Sequence, residues 1–395
     1  MRTLSPRAAF AAIVAAFAVT MTGTTLPTPM YGIYQERFGF SLSMSTVIFA
    51  VYAAGVLVAL LVTGRWSDAV GRRPLLLGGL GLALLSDLVF LTATDTWVLL
   101  VGRVLSGFSA GIYVGTATAA VIESATPAWK DRAALVATVA NVGGLGLGPM
   151  LAAVLVDLLP WPVQLSFIVH LVLVLGVTAL VWRAPETVAV EPGARLRLRR
   201  PSVPGPVRNT FVAASIVGFA GFAVMGLMTA VSPRLVERAV PGAGQVLSVL
   251  VVFVLFVASV ASQVVLREMS LARAVNLGCV LLVVGMVLLA VAIGTDSLAL
   301  MLVAAVASGA GQGLSFSKGL ASVLARTHPD DRAGLTSAFF VVAYVAISLP
   351  VVGDGLASQK WGLEAAGVWF SVAVAVLAVV ALVALVVDQR RTEYA

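Results

Sequence analysis

Two ionisable residues, Asp87 and Arg103, lie inside long apolar stretches of the chain, and together they could take up and release a proton. A buried guanidinium keeps its proton and therefore needs an anion, a carbonyl or water as its partner. If Asp95 marks the apex of the intervening turn, Asp87 lies eight residues before it and Arg103 eight residues after it. At 1.5 Å per helical residue both lie about 12 Å below the apex. We therefore predict that they interact directly or through one water.

This pair has two interpretations, and the sequence leaves both open. Protonation of Asp87 would release Arg103, which is a physical way to couple proton binding to movement. Alternatively, the two residues form a permanent structural pair, or Asp87 points elsewhere. Residues 8–34 include no acidic residue, so the first apolar stretch offers Arg103 no other anion.

The remaining reactive side chains are few. The chain has one cysteine, Cys279, and two histidines, His170 and His328, which are too far apart to predict a disulfide or a Cys/His metal site. No nucleophile, base and orienting residue occur at a useful spacing, and no phosphate-binding glycine loop is evident. We expect no enzyme, no cofactor and no metal, and we expect the energy to come from a gradient rather than from ATP.

The composition indicates which elements must position these residues. The chain has 395 residues, is 60% hydrophobic and 11% charged, and has a mean hydropathy of +1.05. Such a chain has too little polar surface for a water-soluble globule, so lipid is its main solvent. About 20 apolar residues cross a bilayer as a helix. Twelve such spans are predicted, near residues 8–31, 43–64, 74–94, 97–120, 134–158, 163–183, 210–231, 245–266, 272–294, 298–323, 334–356 and 365–387.

The basic residues orient these spans. With both termini inside, the inner segments hold 19 lysines and arginines and the outer segments hold four. This asymmetry follows the positive-inside rule. The net charge of +7 is therefore interpreted as a topology signal, and we expect no nucleic-acid partner. The first apolar run begins like a signal peptide, but the spans that follow it favour a retained first helix.

The twelve spans divide into two halves. Residues 191–208 are rich in proline, glycine and arginine and are predicted to form a cytoplasmic linker between domains at 1–190 and 209–395. Several residues recur after 202 positions: Arg65, Ser106, Gly107, Gly111 and Pro127 return as Arg267, Ser308, Gly309, Gly313 and Pro329. The constant offset predicts a duplicated six-helix unit, as in transporters built from two parallel repeats.

Four segments resemble motifs of the major facilitator superfamily. Residues 64–74 read GRWSDAVGRRP, like the signature loop of that family. Residues 103–107 resemble its arginine-bearing motif, and residues 185–187 resemble the sequence that follows its sixth helix. Residues 144–153 resemble the fifth-helix motif of the drug and metabolite:proton antiporter branch, with alanines at 152 and 153 in place of glycines. In the second half, residues 267–273 lack the aspartate and glycine of the signature loop.

This resemblance implies an all-α membrane protein of two pseudo-symmetric six-helix bundles. It also implies that the first, fourth, seventh and tenth helices surround a cavity. The two prolines at the end of the first helix, Pro27 and Pro29, loosen that helix and favour a wet surface beside it. The residues predicted to line the cavity on these grounds are Thr28, Tyr31, Tyr34, Met225, Met228, Gln312 and Phe316.

The signature loop is predicted to act as a conformational latch, formed by Gly64, Asp68, Gly71, Arg72 and Arg73. A carboxylate at Asp68 could accept hydrogen bonds from the N-terminus of the eleventh helix and close the inner side. Alternatively, the basic residues only anchor the topology.

For two further features the sequence leaves two interpretations open. Lys318 lies about five residues from the inner end of the tenth helix, so it extends its amine to the interface or faces the cavity. Gly144, Gly148 and Pro149 in the fifth helix form a hinge or a packing seam. Glu123 and Asp157 are expected at the interfaces of the membrane.

The sequence therefore predicts a monomeric secondary transporter of the bacterial inner membrane that works by alternating access. Its expected partners are a small molecule, protons and membrane lipid. Proton-coupled export of a small, partly apolar compound is the first hypothesis. An uptake symporter or facilitator is the second, and a sensor that keeps the fold without transport is the third.

Overall fold

The computed structural model describes residues 3–63, 66–188 and 202–393, and for Leu42, Asp68, Pro329, Asp330, Ala333 and residues 387–393 it describes the backbone alone. These residues form helices and no strands, and twelve of the helices are long and apolar enough to cross a membrane. The predicted all-α class and the twelve predicted spans are confirmed.

The twelve helices begin and end close to the predicted bounds. They are α1 (Pro6–Thr25), α2 (Leu42–Thr63), α3 (Arg72–Leu91), α4 (Thr96–Ser124), α5 (Ala133–Leu158), α6 (Gln164–Trp182), α7 (Arg208–Ala239), α8 (Gln245–Val265), α9 (Leu271–Gly294), α10 (Leu298–Ala325), α11 (Pro329–Trp361) and α12 (Leu363–Glu393). Short helices at Tyr31–Phe38 and Trp66–Val70 follow α1 and α2.

The turn before α4 shows how the sequence sets a helix start. The carboxylate of Asp95 accepts hydrogen bonds from the backbone N–H groups of Trp97 and Val98, at 2.7 and 3.1 Å. Such a cap satisfies donors that the first turn of a helix leaves unpaired. Asp95 therefore lies in the turn between α3 and α4, where the sequence places it.

The chain divides into two compact units: the first comprises Met1–Phe40 and Val51–Arg199, and the second comprises Ser41–Ala50 and Arg200–Ala395. Within the first unit α3 packs on α4 and α6, while α1 packs on α4, α5 and α6. The second unit repeats these pairs six helices later, because α9 packs on α10 and α12, while α7 packs on α10, α11 and α12. Residues 191–201 of the predicted linker lie outside the described residues.

Close backbone contacts repeat with the same offset. A Cβ on Gly107 of α4 would overlap the carbonyl oxygen of Tyr52 on α2, and a Cβ on Gly309 of α10 would overlap that of Leu255 on α8. One turn on, Gly111 packs on Val56 and Ala59, and Gly313 packs on Ser259 and Ser262. Small residues let membrane helices approach closely. The duplicated unit that the sequence predicts is therefore present in the packing of each bundle.

The surface of the bundles is apolar along α3, α6, α9 and α12. Large exposed side chains occur on these helices at Leu85, Leu88, Ile168, Val172, Leu173, Val284, Val287, Val376, Val380 and Val383. So broad an apolar surface would not remain exposed in water. It is the surface that hydrocarbon covers.

Candidate functional site

Asp87 and His170 form a buried pair in the first unit. Asp87 on α3 and His170 on α6 have side chains that are only 5% and 2% exposed, and His170 Nδ1 lies 2.8 and 2.9 Å from the two carboxylate oxygens. The other ring nitrogen, Nε2, lies 3.0 Å from the carbonyl oxygen of Val19 on α1. A Cβ on Gly23 of α1 would overlap the imidazole ring. A glycine at this position therefore leaves the space that the ring occupies. One histidine thus links α1, α3 and α6.

Asp87 contacts α6, where His170 holds both of its carboxylate oxygens. The face of α3 that meets α4 nearby is that of Ser86, whose hydroxyl donates to the carbonyl oxygen of Gly102 at 2.9 Å. The next residue along a helix is turned by about 100°. The expected interaction of Asp87 with Arg103, directly or through one water, stays a prediction, because the spacing along two helices does not fix the direction of a side chain around the helix axis.

Arg103 is the largest fully buried side chain, at 1% exposure. Its guanidinium donates to the carbonyl oxygen of Thr24 on α1 and lies over the ring of Tyr52 on α2, with Cζ 4.7 Å from the ring centroid. A carbonyl is one of the three partners that a buried guanidinium was expected to need, and an aromatic face adds a cation–π attraction. Arg103 therefore carries a fixed charge beside the Asp87–His170 pair.

Sequence reasoning missed His170. The histidine was weighed only as a metal ligand or as part of a Cys/His cage. The turn before α6 is on the same side as that around Asp95, and His170 lies six residues into the helix. Its depth therefore resembles that of Asp87, and matching all ionisable residues by depth would have found the pair.

Two acidic side chains, Glu123 and Glu186, hold the signature loop of the first unit. The guanidinium of Arg72 donates to both carboxylate oxygens of Glu123 on α4, at 2.9 and 3.2 Å, and also to the hydroxyl of Ser67. The carboxylate of Glu186 accepts the backbone N–H groups of Arg72 and Arg73 at 2.8 and 3.1 Å, which caps α3. A carboxylate at this position also suits the positive end of the helix dipole.

Gly71 makes this cap possible. Its φ is +105°, a conformation that side-chain-bearing residues rarely adopt, and a Cβ there would approach the Glu186 carboxylate at 2.6 Å. Gly64 and the side chain of Asp68 lie outside the described residues. The predicted contact of Asp68 with the eleventh helix therefore stays a prediction.

Lys318 extends to the interface. Its Nζ donates to the carbonyl oxygens of Arg267 and Met269 at 2.6 and 3.3 Å, in the loop that connects α8 to α9. A flexible lysine can place its ammonium group at the end of a helix in this way. The structure thus takes the first of the two interpretations of this residue.

The predicted cavity-lining residues occupy two regions. In the first unit, Thr28, Tyr31 and Tyr34 are buried, and the hydroxyls of both tyrosines have no hydrogen-bond partner among the described residues. Tyr34 borders a small cavity of about 170 Å³ that Arg37 also lines. The structure therefore shows these three residues as buried, and their role in lining the transport pathway stays a prediction.

In the second unit, Gln312 and the two methionines are buried. Gln312 Oε1 accepts a hydrogen bond from Ser259 Oγ at 2.7 Å, and Met225 and Met228 are 3% and 1% exposed. The ring of Phe316 packs at tilted or edge-on angles against the rings of Phe222, Phe339 and Phe340.

Gly144 and Gly148 of α5 pack against α1. A Cβ on Gly144 would lie 2.5 Å from the carbonyl oxygen of Ala18, and one on Gly148 would overlap that of Thr22. Thr25 Oγ1 donates to the carbonyl oxygen of Leu145 at 2.7 Å, which adds a hydrogen bond to the contact. Pro149 lies inside the same helix. These residues form a packing seam between α1 and α5.

A large cavity lies beside this seam. Its volume is about 930 Å³, and residues of α1, of α5 and of the turn before α5 line it. Most of them are apolar, such as Phe10, Val14 and Val136, and two arginines, Arg7 and Arg132, also line it. Ligand pockets of this kind are typically about 300–1,000 Å³, apolar, and furnished with a few polar groups. We call this space the α1–α5 cavity.

Metal chemistry has no support in the described part of the chain. Among those residues there is no group of three or more His, Cys, Asp or Glu side chains that could hold a metal ion. The one cysteine, Cys279, is buried and free.

The sequence is similar to known transport proteins. A profile of the Major Facilitator Superfamily matches residues 8–349. The class H tetracycline resistance protein of Pasteurella multocida is 35% identical over 114 residues, which cover 28% of each protein. The multidrug transporter MdfA of Yersinia pestis is 29% identical over 177 residues, or 44% of this chain and 42% of the relative. The inner membrane transport protein YnfM of Escherichia coli is 26% identical over 141 residues, or 35% and 34%. The matches thus span less than half of each relative.

Proposed function

The chain belongs to the major facilitator superfamily, whose profile matches residues 8–349, and on this premise we propose that it exports a small, partly apolar compound in exchange for protons. It is a multi-pass membrane protein with twelve spans among its described residues, and its family consists of transporters rather than enzymes. The observation that carries the proton-coupled part is the ionisable pair Asp87–His170 inside an apolar bundle. Ionisable residues at such depth are characteristic of proton relays and substrate pathways.

The α1–α5 cavity supports the chemical class of the substrate. Its apolar walls would accept an apolar body, and Arg7 and Arg132 would attract negatively charged or hydrogen-bond-accepting groups. Two relatives are named as a tetracycline resistance protein and a multidrug transporter, which supports a partly apolar substrate.

The orientation and the latch belong to the same proposal. The excess of cations in the predicted inner segments supports an inner-membrane protein with both termini in the cytoplasm. The ties of Arg72 and Arg73 to Glu123 and Glu186 would hold the signature loop on the first unit while a latch at Gly64 and Asp68 opens and closes.

An uptake symporter is the second candidate. It is favoured by Ala152 and Ala153, which replace the usual glycines of the antiporter motif and are fully buried on α5.

Proteoliposomes distinguish these candidates, with tetracycline and ethidium as the probes. For export, an imposed proton gradient should drive the probe against the direction of proton flow, and a protonophore should abolish this accumulation. Movement of the probe with the protons would indicate symport, and equal exchange without a gradient would indicate a facilitator. Protein-free liposomes are the control. Binding without any flux would contradict transport altogether.

A further inference from the structure

The hydrogen bonds of His170 fix how many protons the buried pair can hold. A backbone carbonyl only accepts, so the contact with Val19 requires a proton on Nε2. The contact between Nδ1 and Asp87 then requires one more proton between nitrogen and oxygen. That proton lies on the ring, as imidazolium with carboxylate, or on the acid, as neutral imidazole with carboxylic acid. Both arrangements contain the same number of protons and satisfy both hydrogen bonds.

Removal of this proton breaks one of the two contacts. If Nε2 keeps its hydrogen, the bare lone pair of Nδ1 faces a carboxylate. If the ring changes tautomer, Nδ1 donates to Asp87, but the lone pair of Nε2 faces the carbonyl of Val19. A buried polar group that loses its hydrogen bond destabilises the contact it belongs to. The deprotonated ring therefore loosens α6 either from α3 or from α1.

We propose that Asp87, His170 and the Val19 carbonyl form a binding site for one exchangeable proton, which locks α6 to α1 and α3 when bound and releases it when lost. This inference rests on the proposed function, because it identifies the proton site of the coupled cycle. Each cycle adds one proton from water to the pair, which changes its charge from −1 to 0, and returns that proton to water.

Among the described residues of the helices around the pair, we identify one site that can exchange a proton. The helices packed around it are α1, α3, α4, α5 and α6. Arg103 of α4 holds the neighbouring carbonyl of Thr24 and cannot release its proton. Tyr113 of α4 is buried further inside, and Asp157 of α5 is exposed near the outer end of its helix. Arg103 thus supplies a permanent donor to α1, and His170 supplies one that can be switched.

Nitrogen NMR tests the site without any substrate. The chain has two histidines, so His328→Gln leaves His170 as the one histidine signal in protein labelled with [15N]histidine. In lipid nanodiscs, the two ring nitrogens should report the loss of one proton between about pH 5 and 8, the interval in which histidines change charge. Asp354→Asn replaces a buried carboxyl on α11 of the second unit and is the control, because it should leave this titration unchanged. Ring signals that stay constant over the whole interval would overturn the proposal.

A transport measurement tests whether this proton drives the cycle. The double variant Asp87→Asn/His170→Gln keeps hydrogen-bonding side chains at both positions and removes both groups that can hold the proton. Wild-type flux of tetracycline should change up to about tenfold per pH unit, as expected for one coupled proton, while the double variant should give a flat profile. A pH dependence that survives in the double variant would overturn the inference. A titrating ring in a protein without any proton-driven flux would instead contradict the proposed function and leave the proton site standing.

Discussion

The two units share their packing but differ in the chemistry of their cores. The helix pairs and the glycine contacts repeat with an offset of about 202 residues, yet Asp87 corresponds to Leu289 and Arg103 to Ala305. In the second unit the buried polar side chains are mostly neutral, as in the hydrogen bond from Ser259 to Gln312. A duplicated bundle therefore needs the same shapes at its helix contacts, whereas buried charge is retained only where partners exist for it.

Asp354 is the exception in the second unit. Its side chain is buried on α11, and neither carboxylate oxygen has a hydrogen-bond partner among the described residues. Asp87, by contrast, has His170 on the next helix. The two acids thus allow a direct comparison of a paired and an unpartnered buried carboxyl.

The largest expected effect comes from breaking the buried pair of the first unit. His170→Leu leaves the carboxylate of Asp87 without its partner, so we expect the free energy of unfolding to fall by about 3–5 kcal/mol. The double variant Asp87→Leu/His170→Leu replaces both members of the pair by apolar side chains, as the second unit has Leu289 where the first has Asp87. It should recover most of the lost free energy of unfolding. Thermal unfolding of the purified protein in detergent measures both effects.

The control is Asp354→Asn, which replaces a carboxyl that has no partner. We expect its melting temperature to equal or exceed that of the wild type, because the substitution removes a group that is costly to bury when charged. Losses that simply add in the double variant would show that Asp87 and His170 do not depend on each other.

The second-largest expected effect concerns the close glycine contacts that both units contain. Gly107→Ala and Gly309→Ala each place a methyl group against a backbone carbonyl, that of Tyr52 or of Leu255. Overpacking of this kind destabilises by about 1–3 kcal/mol, and the repeat predicts nearly equal losses in the two units. Gly78→Ala and Gly353→Ala are the controls, because a Cβ at either position meets nothing within 4 Å. A clear loss at one of the paired sites alone would mean that the packing is not equivalent.

The sequence predicts the spans well because hydropathy reports how much of a helix lies in hydrocarbon. It underestimates helices that continue into the interface: α7 reaches Ala239, beyond the predicted end at residue 231, and includes Arg234 and Arg238. The polar last turns keep their backbone hydrogen bonds in water as well as in lipid. Hydropathy therefore cannot locate the end of such a helix.

The sequence predicts only part of the candidate site, because spacing along a helix gives the position of a side chain but not its direction. Counting residues from Asp95 gives the depth of Asp87 and Arg103 in the membrane, but not the side of the helix on which each lies. That direction depends on which residue of α3 contacts α4. Here Ser86 makes this contact, through its hydrogen bond to the carbonyl oxygen of Gly102. The partner of Asp87 comes from α6, 83 residues away in the sequence.

The smallest effect concerns the inner loops, which the two units stabilise by opposite charges. Glu186 caps α3 by accepting two backbone N–H groups, and Lys318 donates to two backbone carbonyls after α8. Glu186 complements the dipole of α3, and Lys318 makes charge-assisted hydrogen bonds to the loop between α8 and α9, so Glu186→Gln and Lys318→Met should each destabilise by about 0.3–1 kcal/mol. Both losses should shrink at high salt, because these groups lie near water and are screened.

Melting temperatures measured at low and high ionic strength check this, with the surface variant Glu268→Gln as the control. Losses that do not depend on salt would indicate that the two side chains act by packing instead of charge.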